Sequence, residues 1–411
     1  MKNTVVNNKK ISFWLVATIA LLTMVGPFTI DTYLPSFPDI EAEFQVSRAL
    51  MSQTLGFYLA AAAFFTLVWG PLSDRIGRRY TILGTLIIYI IASVGCAMAE
   101  SYPSFLVFRI LQGAAASGGM IAGRAMVRDA YDAQTAHRMI SYVMMLFALA
   151  PAIAPVFGGW LHDLFGWRSV FYFLALYGIS MWLLTIRFLG ETLPNEHRQS
   201  IHPVQIGRLY RDVLMKRRFL FLVFTLGTAF GGLFLYIAGS PTVIYDFLGL
   251  GVDSFGVQFI PMTSGIIIGS FVSSRLTHRF NAQTLVTTSI VILGLACSLN
   301  LVQAWWLPIN IYTLIAPQVV YAFGIAFLMP GITVMAMDCF PQNRGAATAV
   351  QSFVQMMTTS LVVSELLPAL HATVIHFAMG QAALFGAAAL LWFGVSRSPA
   401  PELQQVKADM R

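Results

Sequence analysis

Twelve stretches of about 20 apolar residues, each ended by a short polar break, leave this 411-residue chain few folds to choose from. A helix of that length crosses the hydrocarbon of a bilayer, and only helices and closed barrels satisfy every backbone polar group there. The runs are continuously apolar rather than alternating, which excludes barrel strands and predicts an all-α polytopic membrane protein. They fall at roughly 12–35, 49–69, 80–99, 103–124, 138–161, 168–189, 219–240, 254–274, 282–302, 307–331, 345–367 and 372–395. The longest polar stretch, 190–218, divides them six and six. The domains expected are therefore an N-terminal six-helix half, 1–189, a linker, 190–218, and a C-terminal half, 219–411.

Composition closes off the alternatives. Charged residues make up 10% of the chain, where a soluble domain carries about 25%. A chain this apolar cannot cover itself in water. The net charge of +7 does not suggest nucleic acid, because the cations sit in small clusters between apolar runs. Cys96, Cys297 and Cys339 do not make a disulfide framework. Lys9 and Lys10 precede a first run too long for a signal peptide, and no small-x-small cleavage site follows. No phosphate-binding loop and no His pair with metal spacing appears, so no cofactor or metal is expected and no enzyme chemistry is indicated.

Orientation follows from Lys and Arg. With the N-terminus in the cytoplasm, 22 of the 25 fall on the inner side, Arg48 and Arg168 fall outside, and Arg109 lies within a span. Both termini and the 190–218 segment are then cytoplasmic, and Asp246 and Asp253 face out. Gly70-Pro-Leu-Ser-Asp-Arg-Ile-Gly-Arg-Arg79 between spans 2 and 3 is echoed by Ser273-Ser-Arg-Leu-Thr-His-Arg-Phe280 between spans 8 and 9. Two repeated halves with a site at their interface form a transporter plan.

In the first of these loops Gly70, Leu72, Asp74, Arg75, Gly77, Arg78 and Arg79 occupy every position of the loop 2–3 signature of the major facilitator superfamily, which the chain resembles. Physically, the glycines let two helix ends turn tightly and approach each other. Asp74 is placed to meet basic groups or the positive end of another helix, span 11 near Asn343 and Arg344 being a candidate. The other reading is that these charges only anchor the loop and fix topology.

Span 4 carries Arg109-Ile-Leu-Gln112-Gly113, which resembles the family's Arg-x-x-Gln-Gly signature, assigned to coupling in proton-linked members. A cation there costs roughly 2.5–3.5 kcal/mol on insertion scales, so it is expected to face the protein interior or a cavity, with Gln112 on the same face. A snorkelling interfacial Arg is the alternative. Span 5 carries Ala150-Pro151-Ala-Ile-Ala154-Pro155-Val-Phe-Gly158-Gly159, similar to the antiporter signature at Pro155, Gly158 and Gly159, with Ala at two positions where the pattern has Gly. A packing kink explains the same residues. Asp31, in Asp-Thr-Tyr-Leu-Pro35, lies toward the outer end of span 1 at a depth matching Arg109, and the segment resembles the bicyclomycin- and chloramphenicol-exporter branch. Thr23 stands where some relatives have a second acid, leaving Asp31 as the one coupling carboxylate of that span. Glu365 is the other intramembrane acid, read mainly as a helix-end carboxylate.

The resemblance implies a proton/drug antiporter of the bacterial inner membrane that exports small amphipathic antimicrobials, with protons, drug and lipid as partners and a monomeric assembly. Within the transporter class, export of an endogenous amino-acid or sugar derivative is the alternative, and a non-transporting signalling or scaffold protein is a different class. A pool of aromatic, Met and amide residues suits a promiscuous pocket: Tyr33, Tyr58, Gln112, Met144, Met145, Phe234, Tyr236, Phe259 and Gln355. Taken alone, each reads first as a packing or lipid-facing residue, so they form a pool rather than a site.

Overall fold

A computed structural model describes residues 13–194, 196 and 203–397. Lys9, part of the 190–218 linker (195 and 197–202) and the C-terminal residues from 398 on lie outside the described residues. Twelve helices are long and apolar enough to cross a membrane, and no strand occurs among the described residues. The spans are Phe13–Phe44, Arg48–Ile76, Arg78–Ala97, Tyr102–Ala130, Gln134–Phe165 and Trp167–Phe188, then Arg217–Ala238, Val252–Leu276, Ala282–Trp306, Ile311–Asp338, Arg344–Leu370 and Val374–Val395. They are numbered 1 to 12 in that order.

Large apolar side chains cover the outside: Phe64, Ile91, Leu176, Phe271, Val291 and Leu390 are exposed along the spans. In water that surface would drive aggregation, and in lipid it is solvated. Trp160, Trp305 and Trp306 are exposed near span ends, where indole rings favour the membrane interface.

The helices pack as two groups with a repeated pattern. Span 4 packs on spans 2 and 3, and span 3 on span 6; likewise span 10 packs on spans 8 and 9, and span 9 on span 12. The groups meet through span 2 against span 11 and span 5 against span 8, one pairing being the repeat of the other. Small residues set the closeness of this seam. The Ser360 hydroxyl donates to the Gly56 carbonyl at 2.7 Å, and a Cβ on Gly56 would lie 2.6 Å from that of Ser364. A Cβ on Gly159 would lie 2.6 Å from the Val252 carbonyl oxygen.

Several spans depart from plain α-helix. Span 1 is helical over Phe13–Asp31, makes a 3-10 turn at Leu34–Ser36, and resumes as Phe37–Phe44. Span 5 breaks between Phe147 and Ala150, where Pro151 has no N–H to bond the Phe147 carbonyl and its ring crowds that carbonyl. Two π-helical segments occur, Thr242–Phe247 after span 7 and Val362–Leu366 within span 11. The linker contributes a short helix, Pro203–Leu214, that packs on span 11 and bonds span 2 through the Tyr210 hydroxyl and the Leu67 carbonyl at 3.1 Å.

The sequence places Gly70–Arg79 in a loop, and the structure corrects this. Span 2 stays helical through Ile76 and span 3 begins at Arg78, so the connection is Gly77 alone. Gly77 has φ of 109°, which side-chain-bearing residues rarely adopt. A Cβ on Gly70 would meet nothing within 4 Å, so that glycine serves no close approach here.

Candidate functional site

Arg109 is fully buried in span 4. Its guanidinium lies 4.2 Å from the Tyr33 ring centroid and 4.6 Å from that of Tyr58, between aromatic faces from spans 1 and 2. Such faces attract a cation through the ring quadrupole. Nη1 donates to Gln112 Oε1 at 2.5 Å and reaches the Thr29 carbonyl at 3.5 Å. Gln112 in turn donates to the Ser93 hydroxyl at 2.8 Å. Arg109 Nε and Nη2 make no hydrogen bond among the described residues. The spacing that puts Gln112 one turn on from Arg109 is what brings amide and cation together. The interior reading of Arg109 therefore describes the structure, and the snorkelling one does not.

Asp31 is the last residue of the first helical segment of span 1 and is buried, 3% exposed. No ion pair joins it to Arg109 among the described residues, although Arg109 Nη1 reaches the carbonyl of Thr29, two residues before Asp31. The carboxylate and the cation thus share a neighbourhood without touching in this conformation. Span 5 closes the cluster from the side. A Cβ on Gly158 would lie 2.0 Å from the carbonyl oxygen of Thr32, the residue after Asp31. Gly113, the last residue of the span 4 signature, has the same function against span 2, with the Tyr58 carbonyl oxygen 2.2 Å from a Cβ placed there. Pro155 is buried within the helix beside them.

At the other end of the bundle the Gly70–Arg79 charges are tied within their own half. Arg78 pairs with Asp74 one turn before it and with Asp129 at the end of span 4, at 3.0 Å, and Nη1 also donates to Ser73 at 2.7 Å. Arg79 donates to the Ile186 carbonyl at 3.0 Å, and Arg75 is exposed. Asp74 makes no hydrogen bond or ion pair with Asn343 or Arg344 among the described residues. Its further neighbour is Tyr210 of the linker helix, whose hydroxyl is held above the ordinary phenol range by burial and by the Asp74 carboxylate. Glu191, which the sequence reading passed over, completes the corner. Oε1 and Oε2 accept the Arg78 and Arg79 backbone N–H groups at 3.0 and 3.2 Å, capping span 3, whose N-terminal Gly77 has no side chain to do so.

The pool of pocket residues divides. Tyr33, Tyr58 and Gln112 belong to the Arg109 cluster, while Met144 is half-buried against Arg124, with Nη2 to Sδ at 3.7 Å. Met145 is 62% exposed on the outer face and lines no interior wall. Phe234 packs against Phe230 with the rings tilted, and Phe259 is buried beside Phe255. Gln355 is half-buried in span 11, and Glu365 is exposed, which agrees with the helix-end reading. Tyr236 opens onto a cluster that sequence reasoning missed. Asn300 Nδ2 donates to the Tyr236 hydroxyl and to Gln381 Oε1, both at 2.8 Å, and Gln381 Nε2 donates to Gln318 Oε1 at 2.8 Å. Gln258 donates to the Tyr236 carbonyl at 2.7 Å. Uncharged amides from spans 8, 9, 10 and 12 thus occupy in the second half the place that the Arg109 cluster holds in the first. Amides within apolar runs were the available signal.

The chain matches the family model described as Major Facilitator Superfamily over residues 19–363. It is 29% identical to the bicyclomycin resistance protein homolog of Haemophilus influenzae, covering 70% of this chain and 72% of that one. It is 25% identical to multidrug resistance protein D of Escherichia coli, covering 85% and 87%. Among solved structures, a D-xylose-proton symporter superposes with a TM-score of 0.73 at 16% identity, over 94% of this chain and 98% of that one.

Proposed function

Because the chain belongs to the major facilitator superfamily, we propose that it is a proton-coupled antiporter that exports small amphipathic drugs, of phenicol or bicyclomycin type, from the bacterial cytoplasm by alternating access. The names of the relatives support the substrate class. The positive-inside distribution supports placing the Arg78 end in the cytoplasm and the Arg48 end outside. Since the halves meet around Arg48, Gly56 and Val252, we read this conformation as closed to the outside.

The observation that carries the coupling proposal is the state of Arg109 and Asp31. A fully buried guanidinium keeps two nitrogens without hydrogen bonds and rests on tyrosine faces, while a buried carboxylate in the same half remains apart from it. Each is costly alone in an apolar interior. A change of conformation that brings them together favours the ionised carboxylate, and one that parts them favours the protonated acid. Asp31 would thereby take up and release a proton as the two sides of the membrane alternate.

Proton release from the purified protein on drug addition tests this reading, at a pH where the wild type releases protons. Asp31→Asn should release none while retaining drug binding. The same release from that variant would move the coupling acid elsewhere. Efflux from cells should collapse with a protonophore and continue under ATP depletion, and a susceptibility panel of diverse antimicrobials should identify the substrates. Labelling of Gln205→Cys by an impermeant outside reagent in intact cells would overturn the orientation.

A further inference from the structure

The seam at the outer end contains one cation shared by two acids. Arg48 opens span 2, and its Nε pairs with Glu41, on the Phe37–Phe44 helix of the same half. Its Nη1 crosses to the other half, 3.1 Å from Asp246 Oδ2 and 3.3 Å from the Thr242 hydroxyl. Both partners across the seam lie in the π-helical segment Thr242–Phe247, a winding that is often found at functional positions. Tyr245, the residue before Asp246, donates its hydroxyl to the Pro35 carbonyl at 2.7 Å, again across the seam. A cavity of about 290 Å³ opens between the halves here, lined by Pro35, Asp39, Arg48, His162, Tyr245 and Asp246 among others.

Exposure differs among the three charges. The Arg48 and Glu41 side chains are 18% and 15% exposed, and that of Asp246 is 48%. When the halves part, Asp246 departs already half hydrated. Arg48 keeps Glu41, so no buried charge is stranded, which would otherwise cost several kcal/mol. We infer that Arg48 is the latch of the outer gate, shared between Asp246 when the gate is closed and Glu41 when it is open. The inference rests on the alternating-access reading above.

A shared latch has a signature that a merely structural ion pair lacks: the two acids act in opposite directions. Asp246→Asn removes attraction present only in the closed state and shifts the population toward outer opening. Glu41→Gln removes the sole partner of Arg48 in the open state and relieves carboxylate repulsion in the closed one, so it shifts the population toward closure. Each shift should be up to about five-fold in the open-to-closed ratio, the scale of a partly exposed pair. In an Arg48→Gln background the opposition should disappear: without the cation each acid variant only relieves the repulsion between Glu41 and Asp246, so both should shift the population toward closure.

The measurement is electron–electron double resonance on purified protein in lipid nanodiscs, in a background without Cys96, Cys297 and Cys339. Spin labels at Ser101→Cys and Leu307→Cys read the outer end, and labels at Tyr80→Cys and His278→Cys read the other. Opposite shifts in the two acid variants support the latch. Two populations in the wild type that both variants move the same way, or leave unmoved, overturn the latch while alternating access stands. A single distance at each end under every pH and drug tried overturns alternating access and the latch with it.

Discussion

Gly158→Ala adds one methyl group where span 5 crosses the backbone of span 1. The new Cβ would lie 2.0 Å from the Thr32 carbonyl oxygen, 2.6 Å from its carbonyl carbon and 2.7 Å from its Cα. Ordinary contact begins near 3.4 Å, so the two backbones must part by roughly 1.4 Å. No side chain can rotate away to relieve this, because all three neighbours are backbone atoms. Overpacking a well-filled interior costs typically 1–3 kcal/mol, and a rigid neighbour places this site at the upper end, near 3 kcal/mol. The displaced atoms adjoin Asp31, so transport should fall together with stability. Gly119→Ala is the control, since its Cβ would make a single ordinary contact, 3.6 Å from Leu22 Cδ2. Thermal unfolding of the purified proteins, followed by tryptophan fluorescence, should show a clear loss for Gly158→Ala and little change for Gly119→Ala. Wild-type melting and transport in Gly158→Ala would refute the reasoning, as would equal losses in the two variants.

Removal of the span 3 cap in Glu191→Ala should cost about 1 kcal/mol in the same melt, whereas alanine at the exposed Glu196 should cost nothing measurable. Asn300→Leu removes the partner of the buried Tyr236 hydroxyl and should destabilise by about 1–3 kcal/mol, against no loss for Ser298→Ala, whose hydroxyl bonds only its own helix. Asp74→Asn breaks a partly exposed pair while Arg78 keeps Ser73 and Asp129, so stability should change by less than about 1 kcal/mol. If Asp74 gates transport, efflux at equal expression should nonetheless fall several-fold; wild-type efflux would make it a topology anchor alone.

The spans were legible because length and apolarity are properties of local sequence, and the bilayer demands both. Arg109 was legible for the same reason, a cation in an apolar run being conspicuous. The span 2–3 junction was misread because Gly70 and Pro71 resemble a turn, although the helix continues past both and Gly77 alone breaks it. The pairing of Arg109 with Tyr33 and Tyr58 rather than with Asp31 depends on which faces spans 1, 2 and 4 turn toward one another, and depth along a helix does not fix rotation about it. Met145 failed as a wall residue for that reason, pointing outward one position from the half-buried Met144. The Asn300–Gln381–Gln318 cluster escaped notice because its members lie on three helices and carry no charge.

The one-residue junction at Gly77 makes a mechanical element of spans 2 and 3. A single residue has two soft dihedrals, and Arg78 is clamped to Asp74 behind the break and to Asp129 and Glu191 ahead of it. There is no slack to absorb a displacement. Span 2, 29 residues and about 43 Å long, runs as one helix with Pro71 near its C-terminal end. Its far end bears Gly56 on the seam with span 11, and its near end is braced against the corner formed by spans 3, 4 and 6. In the alternating-access reading proposed above, a tilt imposed at Gly56 would be carried to Asp129 and Glu191, coupling opening at one face of the membrane to strain at the other.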